Sequence, residues 1–154
     1  MNYIGKGYTA LVKRLDNGFV RKEFKKNYLF MKNREIQFLE VLKGYNYFPK
    51  CLGFGNTYID MDYCGEQPKN LKLFKDQGQE ILNILKETKI KHGDIRPQNF
   101  LILNGVIRLI DYGWSLFEWE DKSVFPIKVP EILGGVWQAG HQWNNEIAME
   151  RCFA

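Results

Sequence analysis

Apolar and polar positions alternate in short runs over the first part of the chain, which is the period of a half-buried strand. The pattern predicts strands around Tyr3-Ile4, Leu11-Val12 and Phe19 to Phe24, with Gly5 to Ala10 interrupting the first pair and Asp16-Asn17-Gly18 turning the second. Asn-Gly is a strong hairpin signal, so an antiparallel meander follows. From Tyr28 to Leu42 the spacing changes: Leu29, Ile36, Leu39 and Leu42 recur at helical intervals, and Gly44 is expected to supply a left-handed stop. Pro49 then precedes two strand-like runs, Cys51 to Phe54 and Thr57 to Tyr63. The polar stretch from Gly65 to Asn70 is the plausible linker, which puts a lobe boundary near residues 64 and 65 of a single domain spanning 1–154. Beyond it, Ile81, Leu82, Ile84, Leu85 and Thr88 mark a second helix. Leu101 to Leu103 and Val106 to Ile110 flank Asn104-Gly105 as a hairpin. The pattern weakens after Trp114 and becomes helical again only from Asn144 to Phe153, with Asn144 or Asn145 as the N-cap.

With 154 residues the chain has room for one compact domain or two small lobes. A hydrophobic content of 45% and a charged content of 26% exclude disorder and coiled coil. The net charge of +4 is too mild to imply nucleic acid. Eight basic and three acidic residues between Lys13 and Glu35 read as a solvated face in preference to an acidic-partner patch. Cys51, Cys64 and Cys152 show no C-x-x-C spacing, which argues for reduced thiols and a cytoplasmic setting. Neither a targeting segment nor a membrane span is visible. The aromatic residues, at 15%, read as core packing.

Gly5-x-Gly7-x-x-Ala10 is a weak motif by itself. A dinucleotide fold needs a helix directly after the glycines, and here a strand and hairpin follow, so the context favours a flap whose backbone amides cover phosphates. No Walker-type Gly-Lys-Ser/Thr is present. The informative stretch is His92-Gly93-Asp94-Ile95-Arg96-Pro97-Gln98-Asn99, followed after the hairpin by Asp111-Tyr112-Gly113. Asp94, Asn99 and Asp111 bring a potential base and two oxygen ligands to one end of a hairpin, and hard cations such as Mg²⁺ prefer oxygen.

This constellation resembles the catalytic loop and metal-binding motif of the protein kinase-like superfamily, with Tyr112 in place of a phenylalanine. The glycine flap, Val20-Arg21-Lys22, Glu35 on the following helix and Met61-Asp62-Tyr63-Cys64 match it in order. The resemblance implies an α+β, two-lobed kinase-like fold with an antiparallel-sheet N-lobe and a minimal helical C-lobe. It further implies that Gly5, Gly7 and Ala10 belong to a nucleotide-covering flap and that Asp62, Tyr63 and Cys64 form the adenine-side junction. Lys22 would hold the ATP phosphates, positioned by Glu35, with Glu40 on the same helix as the competing partner. Asp94 would serve the acceptor hydroxyl, Asn99 and Asp111 would bind Mg²⁺, and Arg96 would sit near the transferred phosphate. His92 is expected to support the loop, His141 to lie at the surface, and Val129-Pro130-Glu131 loosely matches the Ala-Pro-Glu that closes an activation segment.

Gly93 stands where many regulated kinases carry an arginine that pairs with a phosphate, so control of that kind is not expected. His-Gly-Asp is also similar to the loop of aminoglycoside, choline and fructosamine kinases. Only 23 residues follow Glu131. Together these favour a small molecule or saccharide acceptor over a Ser/Thr protein acceptor. Arg96, residues after Ser115 and Asn145 or Glu146 of the tail are expected to line the acceptor pocket, with Trp114, Trp119, Trp137 and Trp143 buried. The rival readings are a nucleotide-binding pseudokinase or interaction module, and a lobe completed by a second copy or a partner protein.

Overall fold

A computed structural model of the chain describes residues 2–6, as backbone, together with 9–129 and 141–154. Gly7, Pro130, Glu131 and Trp137 lie outside the described residues. The first part is a five-stranded antiparallel sheet in the order β1-β2-β3-β5-β4. Its strands are β1 (Asn2–Lys6), β2 (Ala10–Arg14), β3 (Val20–Phe24), β4 (Cys51–Phe54) and β5 (Tyr58–Met61), and the helix α1 (Leu29–Leu42) joins β3 to β4. The meander expected from the alternation is present, with Lys22 opposite Val12 on one side and Ile59 on the other. Gly18 closes the β2–β3 turn at φ 89°, while Gly18 N–H donates to Leu15 O at 2.9 Å.

The described residues of the second part comprise α2 (Lys75–Glu87), a short β6 (Ile90–Lys91), the hairpin β7 (Phe100–Leu103) and β8 (Val106–Leu109), β9 (Leu116–Phe117) and α3 (Asn145–Phe153). Asn104 and Gly105 adopt φ 54° and 79°, the paired left-handed values of a two-residue hairpin turn. The two-residue strands β6 and β9 pair with each other and were not expected, because they are too short to show a period. This antiparallel sheet followed by helices is the α+β arrangement expected from the kinase-like motifs.

The helix α1 follows the expected span, but its buried residues are Met31, Lys32, Glu35, Phe38, Leu39 and Leu42, with Leu29 and Ile36 only partly covered. Gly44 is not left-handed: α1 ends through a right-handed Lys43, and Tyr45 N–H turns back to Leu42 O at 3.0 Å. Helix α3 starts where expected, with the Asn144 side chain accepting from Ile147 N–H at 3.0 Å. Its Ala148, Met149, Cys152 and Phe153 belong to the core. Phe153 packs over Gly78 of α2 and meets Phe100 edge to face, which docks α3 on the core. Trp114 is buried as expected, whereas Trp119 is 73% exposed and stacks on Phe117.

The linker is sewn to the hairpin. Glu66 and Ile102 exchange backbone hydrogen bonds of 3.2 and 2.7 Å, and Gly65 reaches that position at φ 98°. A Cβ on Gly65 would lie 1.8 Å from Ile102 O, whereas one on Gly105 would meet nothing within 4 Å. Gly65→Ala is therefore expected to cost about 3 kcal/mol or more, and Gly105→Ala only about 1 kcal/mol from its left-handed backbone. Denaturant midpoints of the two variants check this, and equal losses would show that the carbonyl contact is not the cause.

Candidate active site

Strand β3 reads Val-Arg-Lys-Glu-Phe and alternates in burial, so Lys22 shares the inward face with Val20 and Phe24. A lysine on that face needs a carboxylate. Glu35 supplies it from the buried face of α1, accepting from Lys22 Nζ at 2.9 and 3.1 Å. Glu40, the competing partner, pairs instead with Lys43 at the surface. Lys22 Nζ also reaches Asp111 Oδ1 at 3.1 Å. Burial pulls the Lys22 ammonium down, but Asp111 and Glu35 outweigh it and the group stays above the ordinary lysine value. Burial opposes charge on Asp111 as well, and Lys22 overcomes it to hold this carboxyl low. Glu35, buried and facing Asp111, is pushed up.

The loop between β6 and β7 carries the second group. His92 is fully buried and uses both ring nitrogens: Nε2 lies 2.9 Å from Ile110 O, and Nδ1 accepts from Asp94 N–H at 3.1 Å. These partners specify a neutral ring protonated on Nε2, in keeping with burial that lowers its pKa to about 4. Asn99 Nδ2 donates to Asp94 O at 2.8 Å and to Asp94 Oδ2 at 3.1 Å. Asp94 Oδ1 is buried without a hydrogen-bond partner, and Arg96 Nε stands 3.3 Å away. Burial and the nearby Asp111 charge raise the Asp94 carboxyl to about 7.

Asp111 follows β8 with φ 71°, a left-handed conformation uncommon for a residue with a side chain and a recurrent mark of functional loops. Ile110 N–H donates to Asn99 O at 2.9 Å, which ties this turn to the loop before β7. Tyr112 is fully buried; its hydroxyl donates to Leu109 O at 2.7 Å, which satisfies the group that a phenylalanine would lack. Gly93 has φ 88°, and a Cβ there would lie 2.3 Å from Trp114 O and 2.7 Å from Trp143 Nε1.

One cavity of about 750 Å³ gathers most of the predicted residues. Ala10, Lys22, Glu35, Asp62, Tyr63, Cys64, Asp94, Arg96, Asn99 and Asp111 all line it. Gly5 lies on β1, beside the register shift of the β1–β2 pair. The Asp62 carboxylate is committed to Lys50 N–H at 2.7 Å and Arg108 Nη1 at 2.8 Å, which leaves backbone groups of the junction to face a ligand. Sequence reasoning missed Glu66, Gln67 and Gln98 on the same wall, since no motif marks them. Asn145 and Glu146 do not line this cavity. Asn145 instead accepts from His92 N–H at 3.0 Å and donates to Ile90 O at 2.7 Å.

The site suits a magnesium nucleotide. Among the described residues no three His, Cys, Asp or Glu side chains form a cage. Mg²⁺ is commonly held by one or two protein oxygens together with substrate phosphates, and Asn99 and Asp111 offer such oxygens on the cavity wall. Of the eight basic residues between Lys13 and Glu35, Lys13 pairs with Glu23, Arg21 with Asp60, Lys22 with Glu35 and Asp111, and Arg34 with Glu120.

No family model matches the chain. Among curated proteins, a dual specificity protein kinase, zak2, of Dictyostelium discoideum is 33% identical over 104 residues, covering 60% of this chain and 16% of its own length. Aurora kinase C of Mus musculus is 31% identical over 97 residues, covering 53% of this chain and 33% of its own. An Aurora kinase of Eremothecium gossypii is 31% identical over 140 residues, 71% of this chain and 37% of its own. The chain thus spans well under half the length of each of these relatives. Their similarity, the order of the motifs and the α+β fold agree in supporting a protein kinase-like superfamily.

Proposed function

We propose that the chain is an ATP-dependent phosphotransferase that moves the γ-phosphoryl group of Mg-ATP to a hydroxyl, acting as one kinase-like domain with its lobe boundary near residues 64 and 65. The observation that carries this reading is the convergence of Lys22, Asp94, Asn99 and Asp111 on one cavity. A nucleotide-binding module without catalysis would not require a buried Asp94 oxygen that has no hydrogen-bond partner and only the Arg96 ion pair.

Mg-ATP supplies the phosphoryl group and neutralises its charge; the protein supplies position and electrostatics. Ala10, Val20, Met61 and Leu101 give apolar walls for the base, whose polar edge meets backbone groups of residues 62–64. The Lys22 ammonium, fixed by Glu35, donates to phosphate oxygens. Asn99 and Asp111 would supply oxygens to the metal. Asp94 Oδ1 accepts from the acceptor hydroxyl, and the raised carboxyl sits near the range suited to proton transfer. Arg96, beside it, offsets charge on the transferred group.

The relatives are protein kinases, which favours a polypeptide hydroxyl over the small molecule or saccharide suggested by His-Gly-Asp and the short tail. An acceptor screen is expected to give phosphorylation of generic protein substrates above that of sugars and small alcohols; the reverse ranking would restore the small-molecule reading.

Mg-ATP is expected to bind by calorimetry at millimolar concentration or below, and no binding by the folded protein would overturn the site. Asp111→Asn should weaken Mg-dependent nucleotide binding by about tenfold or more, whereas Asp94→Asn should leave the Kd within about threefold and lower turnover by about a hundredfold or more. Equal effects on affinity would show the two roles to be misassigned. Because the space beside Gly93 is filled by Trp114 and Trp143, phosphatase treatment is expected to leave turnover unchanged, measured before and after on the same preparation.

A further inference from the structure

Helix α1 is anchored through a second residue, adjacent to Glu35. The Arg34 guanidinium turns toward the segment after Asp111-Tyr112-Gly113. Its Nη2 donates to Glu120 Oε1 at 2.7 Å and to Ser115 O at 3.0 Å, and Nη1 donates to Glu120 Oε2 at 3.2 Å. This is the two-pronged carboxylate pairing that a guanidinium makes and an ammonium cannot. Glu120 is fixed from its own side as well, since Oε1 accepts from Phe117 N–H at 2.9 Å. The side chains are only 16% and 18% exposed, and the guanidinium lies over the Phe38 and Phe125 rings at 5.4 and 5.5 Å. Arg34 Nε is buried without a partner, so loss of Glu120 would strand a largely desolvated cation.

The elements joined here are those that build the site. Glu35 accepts from Tyr112 N–H at 3.3 Å while holding Lys22, and Arg34 grips Ser115 and Glu120 further along the same segment. Phe117, which helps fix Glu120, belongs to β9, and β9 pairs with β6, which runs into His92. Phe117 also packs on Phe38 of α1 at 4.5 Å between ring centroids.

We propose that Arg34 and Glu120 are positioning residues: their ion pair holds α1 at the orientation in which Glu35 meets Lys22, with a carboxylate built into the chain as the fixing anion. The proposal rests on the phosphotransfer reading for its effect on turnover, but not for its effect on the helix. A double-mutant cycle of Arg34→Met and Glu120→Gln tests it. Each single change is expected to lower kcat about tenfold with KM for ATP within about threefold, and the double change to be no worse than either. Amide hydrogen exchange in residues 29–36 should quicken about tenfold in the same variants. Arg34→Lys, which keeps charge but not the fork, should fall between. Additive losses, or kcat and exchange unchanged from the parent, would overturn the proposal. Should Arg34→Met fail to fold, Glu120→Gln, which keeps the shape and the Phe117 contact, decides by the same two readouts. An inactive parent protein would count against phosphotransfer alone, because the exchange measurement still reads the clamp.

Discussion

The site depends on one buried ammonium. Lys22 stands on the inward face of a strand, where an unpaired charge is untenable, and is 2.9 Å from Glu35 and 3.1 Å from Asp111. These three residues come from a sheet, a helix and a turn far apart in sequence. Removing one partner of such a buried pair generally costs about 3–5 kcal/mol, so correct placement of α1 and of the turn after β8 is selected by the same contact that organises the cavity. One cation also faces two carboxylates, which leaves the site electronegative and receptive to a metal-bound phosphate.

The neutral, buried His92 does for the loops what Lys22 does for the larger elements. One ring nitrogen fixes the backbone beside Asp94 and the other lies at Ile110 O, immediately before Asp111. Tyr112 packs against the imidazole edge to face at 4.8 Å. Because the ring is neutral it can occupy the apolar interior and still satisfy both backbones, which a lysine or a carboxylate could not. The backbone from Asp94 to Asn99 and the left-handed Asp111 are thus held by groups that need not touch a ligand.

Where sequence reading succeeded, local signals and global fold agreed. Asn17-Gly18 and Asn104-Gly105 marked hairpins, and Asn144 marked a helix start, because each residue's role is decided within a few neighbours. The choice between Glu35 and Glu40 was open in sequence but is settled by the phase of α1, in which Glu35 shares a face with Met31, Phe38 and Leu42. The apolar spacing picked out Leu39 and Leu42 of that face but also Leu29 and Ile36, which are only partly buried, since a polar residue on the buried face weakens the apolar period. The cavity wall of Glu66, Gln67 and Gln98 was illegible for another reason: its members owe their position to the bridge between Glu66 and Ile102, a pairing that no local pattern encodes. The Arg34–Glu120 pair is hidden likewise, because Glu120 follows a region whose only regular element is two residues long.

Gly93 shows how a departure from a family pattern is better read as a presence than as a gap. In sequence it stands where a charged side chain is often found, and the simplest inference is that something is missing. In the fold the position is left-handed, and the space a Cβ would enter is taken by Trp114 O and by the indole N–H of Trp143, which donates to that oxygen at 2.9 Å. The neighbouring Asn145 grips His92 N–H and Ile90 O. Glycine at 93 is thus the condition for the residues at the start of α3 to approach the loop from His92 to Asn99 closely enough to bond its backbone. A larger residue would have to displace the Trp143 contact, and with it one of the ties between α3 and the segment after Asp111. The loop's rigidity is then bought by packing from α3, and the segment beyond Gly113 is held by Trp143 on one side and by Arg34 on the other. Fixation from two directions by side chains of the same chain is a physical alternative to fixation by an added phosphate.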